Sequence, residues 1–409
     1  MQGDTQVVIT GMGCVSPLGN DVASNWEKLI AGQSGIDFIS KFELDNFPVK
    51  IAGEVKNLEL PENLNTKANR KLDDFIKYAL AAAHQAIEQA EIAELENVAV
   101  IAGSGQGGIG NIETEMAKVE GSKYRRISPY LIPTSVIGMA SGLITESYGF
   151  QGASYGVSST CSTSSHAIVD ACRLIKLGEA DVVIAGGAEA SITPFSLMGF
   201  NRLRALSQSQ DDPRTASRPF DKNRDGFVSS EGAGMLVLES KRHAIKRGAK
   251  ILAEISGWGL SSDAHHMTAP HPEARGQCQA MSKAINMAKT NLCEIDYLNA
   301  HGTSTPLNDA SESKAVSKVF NGHARKLSMS STKSMTGHML GATGAVELIY
   351  CVKAMEDNAI PPTINLDTPD PECQLDYTSN FYKEKSVKTC LSNSFGFGGT
   401  NCSILLQSA

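Results

Sequence analysis

No apolar run in this 409-residue chain reaches the roughly 18 to 20 residues that a membrane-spanning helix needs. The first residues, MQGDTQVVITGMG, lack the basic start and apolar middle of a secretory signal, so none is expected. No cysteine pair has the C-x-x-C spacing of a zinc or redox site. The cysteine count is odd, nine, which argues against a disulfide framework. An excess of positive charge is also missing. A formal net charge of −7 excludes wholesale nucleic-acid or anionic-membrane binding and leaves room only for a local basic patch. The thiols read as buried small hydrophobes of a reducing compartment, and the expected address is the cytoplasm. Neither a short-period repeat nor a low-complexity linker interrupts the chain.

What is present is an alternation of strand-like and helix-like segments. VVITGMG (7–13), VAVIAGSG (98–105), DVVIAGGAEA (181–190) and AGMLVLES (233–240) read as strands. The stretch 73–90 places Phe75, Ile76, Ala79, Leu80, Ala83 and Ile87 on one face of an amphipathic helix. A second series begins near Ile251, with a strand, a helix over EARGQCQAMSKAINMAK, a strand entering AHGTST, a long helix over GATGAVELIYCVKAMED and a glycine-rich turn between two closing strands. The pattern predicts α/β layering with buried, largely parallel strands, in two co-packed halves.

Two motifs imitate ligand loops. GSGQGG (103–108) fits a dinucleotide fingerprint, but another strand and loop precede it by about 90 residues, and close backbone packing at a strand end explains the glycines better. DKNRDGFVSSEG (221–232) has calcium-loop phasing. Its closing acid, Glu231, comes one residue early and no helix precedes it, so it reads as a turn.

Cys161 stands apart from the other thiols. From Thr163, the residues Ala167, Ile168, Ala171, Cys172, Leu174 and Ile175 recur at helical spacing, and Gly178 ends the run. Cys161 therefore falls at or just before a helix N-terminus, where free N–H groups and the helix dipole are expected to lower its pKa. His301 lies in a polar loop after a strand; Lys333 and His338 precede a helix starting near Gly341. Loops of this kind converge to build sites. A papain-like cysteine–histidine pairing fits the separation of Cys161 and His301, but not the residues flanking the cysteine.

STCSTS, AHGTSTP, STKSMTGHMLGATGA and NSFGFGGTN, together with RPFDKNRDGFVSSEGAGMLVLE and SSDAHHMTAPHP, resemble the β-ketoacyl-acyl-carrier-protein synthases, most nearly their synthase II branch. The likeness spans nearly the whole chain. It implies the thiolase-like fold, with two similar halves (1–250 and 251–409) stacked as an α-β-α-β-α sandwich in a homodimer. It further implies that Cys161 carries the acyl chain as a thioester, while His301 and His338 drive decarboxylation of malonyl-acyl carrier protein. The N–H groups of Cys161 and Phe397 would form an oxyanion hole, and Lys333 and Glu347 a charge-tuning pair. By the same resemblance Thr303 and Thr305 hold the pantetheine arm, Phe397 gates the pocket, and Asp263 and Thr268 belong to a second loop. Gln106 and Phe200 border the acyl pocket, and Lys67, Arg70, Lys71, Arg125, Arg126 and Arg204 dock the acidic carrier protein. No metal or resident cofactor is implied; the 4'-phosphopantetheine arm arrives on the substrate.

Gln106 departs from the bulky apolar residue that the long-chain members carry, and it leaves a specialised polyketide or aryl-polyene ketosynthase as the alternative. A non-catalytic chain-length partner would lack the cysteine. A degradative thiolase would use a second cysteine in place of the two histidines.

Overall fold

The β-branched runs become strands whose ends are set by glycines and polar loops. The computed structural model describes residues 5–44, 47–93, 96–119, 124–209 and 211–409. Ten of its strands share one sheet: β1 (Val7–Val15), β2 (Val98–Gly103), β3 (Ser154–Val157), β4 (Val182–Glu189), β5 (Gly232–Ser240), β6 (Ala253–Ser262), β7 (Tyr297–Asn299), β8 (Ser328–Ser330), β9 (Thr389–Gly396) and β10 (Thr400–Gln407). Their spatial order is β8-β7-β9-β10-β6-β1-β5-β4-β2-β3. Read outward from the centre, the order β1-β5-β4-β2-β3 matches β6-β10-β9-β7-β8, so every strand of the first five has a counterpart five strands later. The two sets meet where Val7–Ile9 pair with Ala253–Ile255.

The expectation of largely parallel strands is corrected. Pairs β1–β5, β4–β5, β1–β6, β6–β10 and β9–β10 are antiparallel, and only β2–β3, β2–β4, β7–β8 and β7–β9 are parallel. The cause lies in β5 and β10. Each returns beside the strand that precedes it in sequence instead of crossing over a helix, and such a return is antiparallel by geometry.

Among the helices of the described residues, seven define the layers on and between the two parts of the sheet: α1 (Asp74–Ala90), α2 (Met139–Tyr148), α3 (Thr163–Leu177), α4 (Pro194–Arg202), α5 (Arg275–Ala288), α6 (Pro306–Phe320) and α7 (Thr343–Asp357). Asp73 caps α1 by accepting from the Phe75 N–H, and Gly178 closes α3 at φ +75°. The alternation of strand side chains assigns the layers. Val183 and Ala185 of β4 face a central core with α3 and α7, whereas Val182 and Ile184 face a separate core with α1 and α2. On the other side, Tyr297, Cys390 and Ile404 face the central core, and Leu298, Leu391 and Leu405 pack with α5 and α6. The result is the α-β-α-β-α sandwich that the resemblance implied. Helix α7 is buried nearly all round, as a helix in a middle layer must be. Among the described residues, no helix is long and apolar enough to cross a membrane.

Candidate active site

The two central helices bring the reactive groups together. Cys161 sits in a one-turn 3-10 segment, Thr160–Ser162, that runs into α3. The turn is tight. Thr160 adopts φ +56°, a left-handed conformation that costs a non-glycine residue about 1 to 2 kcal/mol, and its hydroxyl bonds the Phe397 carbonyl at 3.0 Å. His338 lies before α7, just ahead of the corresponding 3-10 turn Leu340–Ala342. Its backbone is held in register by Val228 and Ser230, with His338 N–H to Val228 O at 2.8 Å and Ser230 N–H to His338 O at 3.0 Å. Its Nε2 lies 3.1 Å from Cys161 Sγ, and its Nδ1 lies 3.1 Å from Thr343 Oγ1.

His301 follows β7 and meets His338 edge to face, ring centroids 5.4 Å apart. Further aromatic contacts extend on both sides: Phe395 packs on His301 at 5.9 Å, Phe227 on His338 at 5.4 Å, and Phe200 on Phe227 at 5.4 Å. One donor atom from each of Cys161, His301 and His338 lies within 4.8 Å of the others.

Behind them, Lys333 and Glu347 form an ion pair at 2.5 Å, each 1% exposed. Breaking so deeply buried a pair from one side leaves an uncompensated charge and is strongly destabilising. Burial pushes the Glu347 carboxyl up to about 7 against the opposing pull of Lys333. Both imidazoles are held well below their ordinary value, first by burial and then by the Lys333 charge, so they are neutral N–H donors at neutral pH. The sulfur departs from expectation. Burial pushes the Cys161 thiol up to about 11, although the Phe397 N–H, Lys333 and its own backbone N–H all pull it down. The helix terminus favours the thiolate as anticipated, but desolvation outweighs it, and at rest the group is a thiol beside His338.

Cys161, His301 and His338 line one cavity of about 460 Å³. Thr303, Thr305, Asp263, Thr268, Phe397 and Arg204 line it with Cys161 and the histidines, as do Gln106 and Phe200. The Thr303 and Thr305 hydroxyls are 2.9 Å apart. Asp263 accepts from Asn401 Nδ2 at 2.8 Å and from the His271 N–H at 3.0 Å, and its own N–H bonds Gly399 O. The loop after β6 and the turn between β9 and β10 are thereby joined, also through Gly398 N–H to Met267 O at 2.7 Å. Gln106 accepts from Ser196 Oγ at 2.8 Å, so its amide has a partner on α4, the helix that also carries Phe200.

The basic residues are less concentrated. Lys67, Lys71, Arg125, Arg126 and Arg204 are exposed, but of these only Arg204 lines the cavity. The Arg70 side chain lies outside the described residues.

Several contributors were not anticipated. Glu312 on α6 accepts the His301 N–H at 2.9 Å and the Gly302 N–H at 2.8 Å, while Asp309 accepts from Ser304 and Phe220. The available signal was two acids three residues apart at the start of the helix that follows the loop. Backbone strain was invisible in the sequence: besides Thr160, Arg204 (φ +55°), Ala264 (+45°), Ser304 (+68°) and Leu340 (+44°) are left-handed, all on the cavity wall or next to a residue on it. The look-alike loops find internal partners. Asp221 accepts from Asn223, Asp367 and Thr368 N–H groups, and Glu231 binds Lys41 and Tyr78, while 222–223 form a turn.

Comparison with known proteins places this geometry. The family described as Beta-ketoacyl synthase, N-terminal domain, matches residues 4–244, and its C-terminal domain matches 252–367. The 3-oxoacyl-[acyl-carrier-protein] synthase 2 of Coxiella burnetii is 47% identical over 98% of both chains, and that of Staphylococcus aureus is 42% identical over 100% of this chain and 99% of the other. Among solved structures, a β-ketoacyl synthase from Burkholderia phymatum superposes with a TM-score of 0.92 at 32% identity, covering 99% of this chain and 100% of the other. A type II polyketide ketosynthase, seen in complex with its acyl-carrier protein, also reaches 0.92, at 31% identity and with full coverage of both chains.

Proposed function

Because the chain belongs to the β-ketoacyl synthase family, we propose that it is a 3-oxoacyl-[acyl-carrier-protein] synthase of the synthase II type, an acyltransferase of fatty-acid elongation. The observation that carries this reading is Cys161 Sγ lying 3.1 Å from His338 Nε2, with the neutral His301 ring against His338 in the same cavity. The Cys161 sulfur, its proton taken by His338, attacks the thioester carbonyl of acyl-acyl carrier protein. The S–C bond to the pantetheine arm breaks, and the carrier leaves as its free thiol with that proton. Malonyl-acyl carrier protein then loses CO2. The electron pair of the broken C–C bond moves into an enolate whose oxygen accepts N–H bonds from His301 and His338. The enolate carbon attacks the acyl-Cys161 carbonyl, whose oxyanion is met by the Cys161 and Phe397 N–H groups. Expulsion of the Cys161 sulfur releases 3-oxoacyl-acyl carrier protein, and the sulfur takes up the one proton that the overall reaction consumes from solvent. A thioester suits the shuttle because sulfur is both a good nucleophile and a good leaving group.

In this reading the nucleophile belongs to a half spanning 1–250, and the imidazoles to one spanning 251–409. Thr303 and Thr305 hold the pantetheine arm at the mouth, Phe397 gates it, and Lys333 with Glu347 keeps the imidazoles neutral. No step requires a metal or resident cofactor. The cations Lys67, Arg70, Lys71, Arg125, Arg126 and Arg204 steer an acidic carrier protein, which affects on-rate and salt dependence most. A second copy of the chain pairs along β3, an edge strand whose residues 154–156 are exposed; Ile112, Ile132, Val136, Tyr155 and Phe195 are exposed apolar side chains of the same part of the sequence. Nine unbridged cysteines accord with a cytoplasmic address.

Identity favours the fatty-acid synthase 2 relatives over the polyketide ketosynthase, 42–47% against 31%. Gln106 is the observation on the other side. The test is a series of saturated and unsaturated acyl-carrier proteins of graded length with malonyl-carrier protein, followed by mass spectrometry of the 3-oxoacyl product. Product from short to long chains is expected. Activity confined to short or polyunsaturated chains would transfer the protein to a specialised pathway, and no product at any length would overturn the assignment.

A further inference from the structure

We propose that Glu189 is a positioning residue that ties the floor of the acyl pocket to the turn carrying His338, so that chain selection and histidine placement are set by one side chain. The proposal rests on the condensing-enzyme reading above. Glu189 ends β4 and is fully buried. Its Oε1 accepts from the Gln106 N–H at 3.0 Å and from Ser104 Oγ at 3.0 Å. Its Oε2 accepts from the Gly105 N–H at 2.8 Å and from the Gly341 N–H at 2.9 Å. Three of these donors belong to the glycine-rich segment after β2, whose Gly105 and Gln106 line the cavity. The fourth lies three residues beyond His338, next to Leu340, which also lines it.

These four hydrogen-bond partners are uncharged. Burial raises the Glu189 carboxyl above its ordinary value, and these four hydrogen bonds pull it back down; a carboxylate is the stronger acceptor for such donors. The glycines confirm how closely the three segments approach. A Cβ on Gly341 would lie 2.5 Å from the Gly105 nitrogen and 2.9 Å from Glu189 Oε2, and one on Gly105 would lie 2.8 Å from the same oxygen. The glycines that imitate a phosphate-binding loop thus surround a carboxylate from the protein itself. The charge also reaches the nucleophile: Glu189 is among the groups that raise the Cys161 thiol.

The test compares Glu189→Gln, which keeps the shape and removes the charge, with Glu189→Asp, which keeps the charge and shortens the reach. In Gln, the NH2 faces at least one backbone N–H that formerly had an acceptor, so one arm of the junction loosens. Three readouts are expected for Glu189→Gln. The ratio of long-chain to short-chain kcat/KM shifts by about threefold or more, and malonyl decarboxylation in a Cys161→Ala background falls by about tenfold. Alkylation of Cys161 by iodoacetamide at pH 8 accelerates several-fold, since loss of a nearby negative charge lowers the thiol pKa. Glu189→Asp is expected to show the shifted chain ratio with alkylation at the wild-type rate. Unchanged chain ratio and decarboxylation in a folded Glu189→Gln protein would overturn the proposal. Should that variant not fold, Ser104→Ala removes a pocket-side arm, together with the bond that Ser104 Oγ accepts from the Gly107 N–H within the same segment. It is expected to shift the chain ratio and leave decarboxylation intact, and an unshifted ratio overturns the proposal equally. Wild-type condensation is measured first. Its absence would sink the condensing-enzyme reading, whereas the alkylation readout does not depend on that reading.

Discussion

The strands β1–β5 and β6–β10 repeat one topology, yet the two sets place different chemistry ahead of their central helices. Before the first central helix, α3, stands a thiol; before the second, α7, stands an imidazole. After β4 the chain makes a long excursion, 190–231, that supplies Phe200 and Phe227. After β9 it makes a turn of three residues, Phe397–Gly399, that supplies Phe397 to the cavity wall. The outer edges differ as well. Among the described residues no strand pairs with the outer side of β3, while β8 is covered by Asp376, whose carbonyl accepts the Met329 N–H at 2.9 Å. A repeated scaffold thus aims two helix starts at a common point and leaves each part free to differ, one carrying a thiol and the other an imidazole.

That division can be broken most sharply by removing one side at a time. Cys161→Ala is expected to abolish condensation, by at least about 10³-fold, while malonyl decarboxylation persists. His301→Ala is expected to lose decarboxylation and condensation together, by about 10² to 10³-fold, because an oxyanion donor is gone. Decarboxylation and carbon dioxide release measured beside 3-oxoacyl product separate the two patterns. Chain extension by the Cys161→Ala protein would show that the division is wrong.

A smaller effect comes from pH. The thiol is raised to about 11, so its thiolate fraction grows about tenfold per pH unit below that value, and alkylation of the free enzyme should still be rising at pH 9. The imidazoles are lowered, so they stay neutral as pH falls through 6.5, and decarboxylation by Cys161→Ala should be flat there. A decarboxylation rate halving near pH 6.5 would mean that burial and Lys333 do not govern the histidines.

The smallest expected effect lies at the rim. Arg204→Glu should raise the KM for acyl-carrier protein a few-fold, with the difference shrinking as salt screens the surface, and leave kcat unchanged. Steady-state kinetics at low and high ionic strength would show it, and a salt-independent fall in kcat would assign Arg204 a different part.

The sequence revealed some of this arrangement and hid the rest for a physical reason. Cys161 and the helix after it were readable because helical periodicity and the glycine stop are local signals. The sites of His301, Lys333 and His338 were readable as polar loops at element ends. Glu189 was not, since its partners lie 83 to 152 residues away in sequence and no short-range pattern encodes them. The thiol pKa was misjudged because the helix terminus is visible locally, whereas the depth of burial is a property of the assembled sandwich. Strand direction failed similarly: apolar runs announce a buried strand and say nothing about the direction of its neighbour.

The seam between β1 and its neighbours also bears on how the chain is made. β1 is completed at Val15, yet its partners begin only at Gly232 and Ala253. At about 5 to 20 residues per second, an apolar strand leaves the ribosome on the order of 10 to 40 s before either edge can be paired. During that interval Val7, Val8 and Ile9 have no sheet to join. A nascent chain of this topology therefore invites chaperone binding at its first strand, and its folding is committed late, when the return strand arrives.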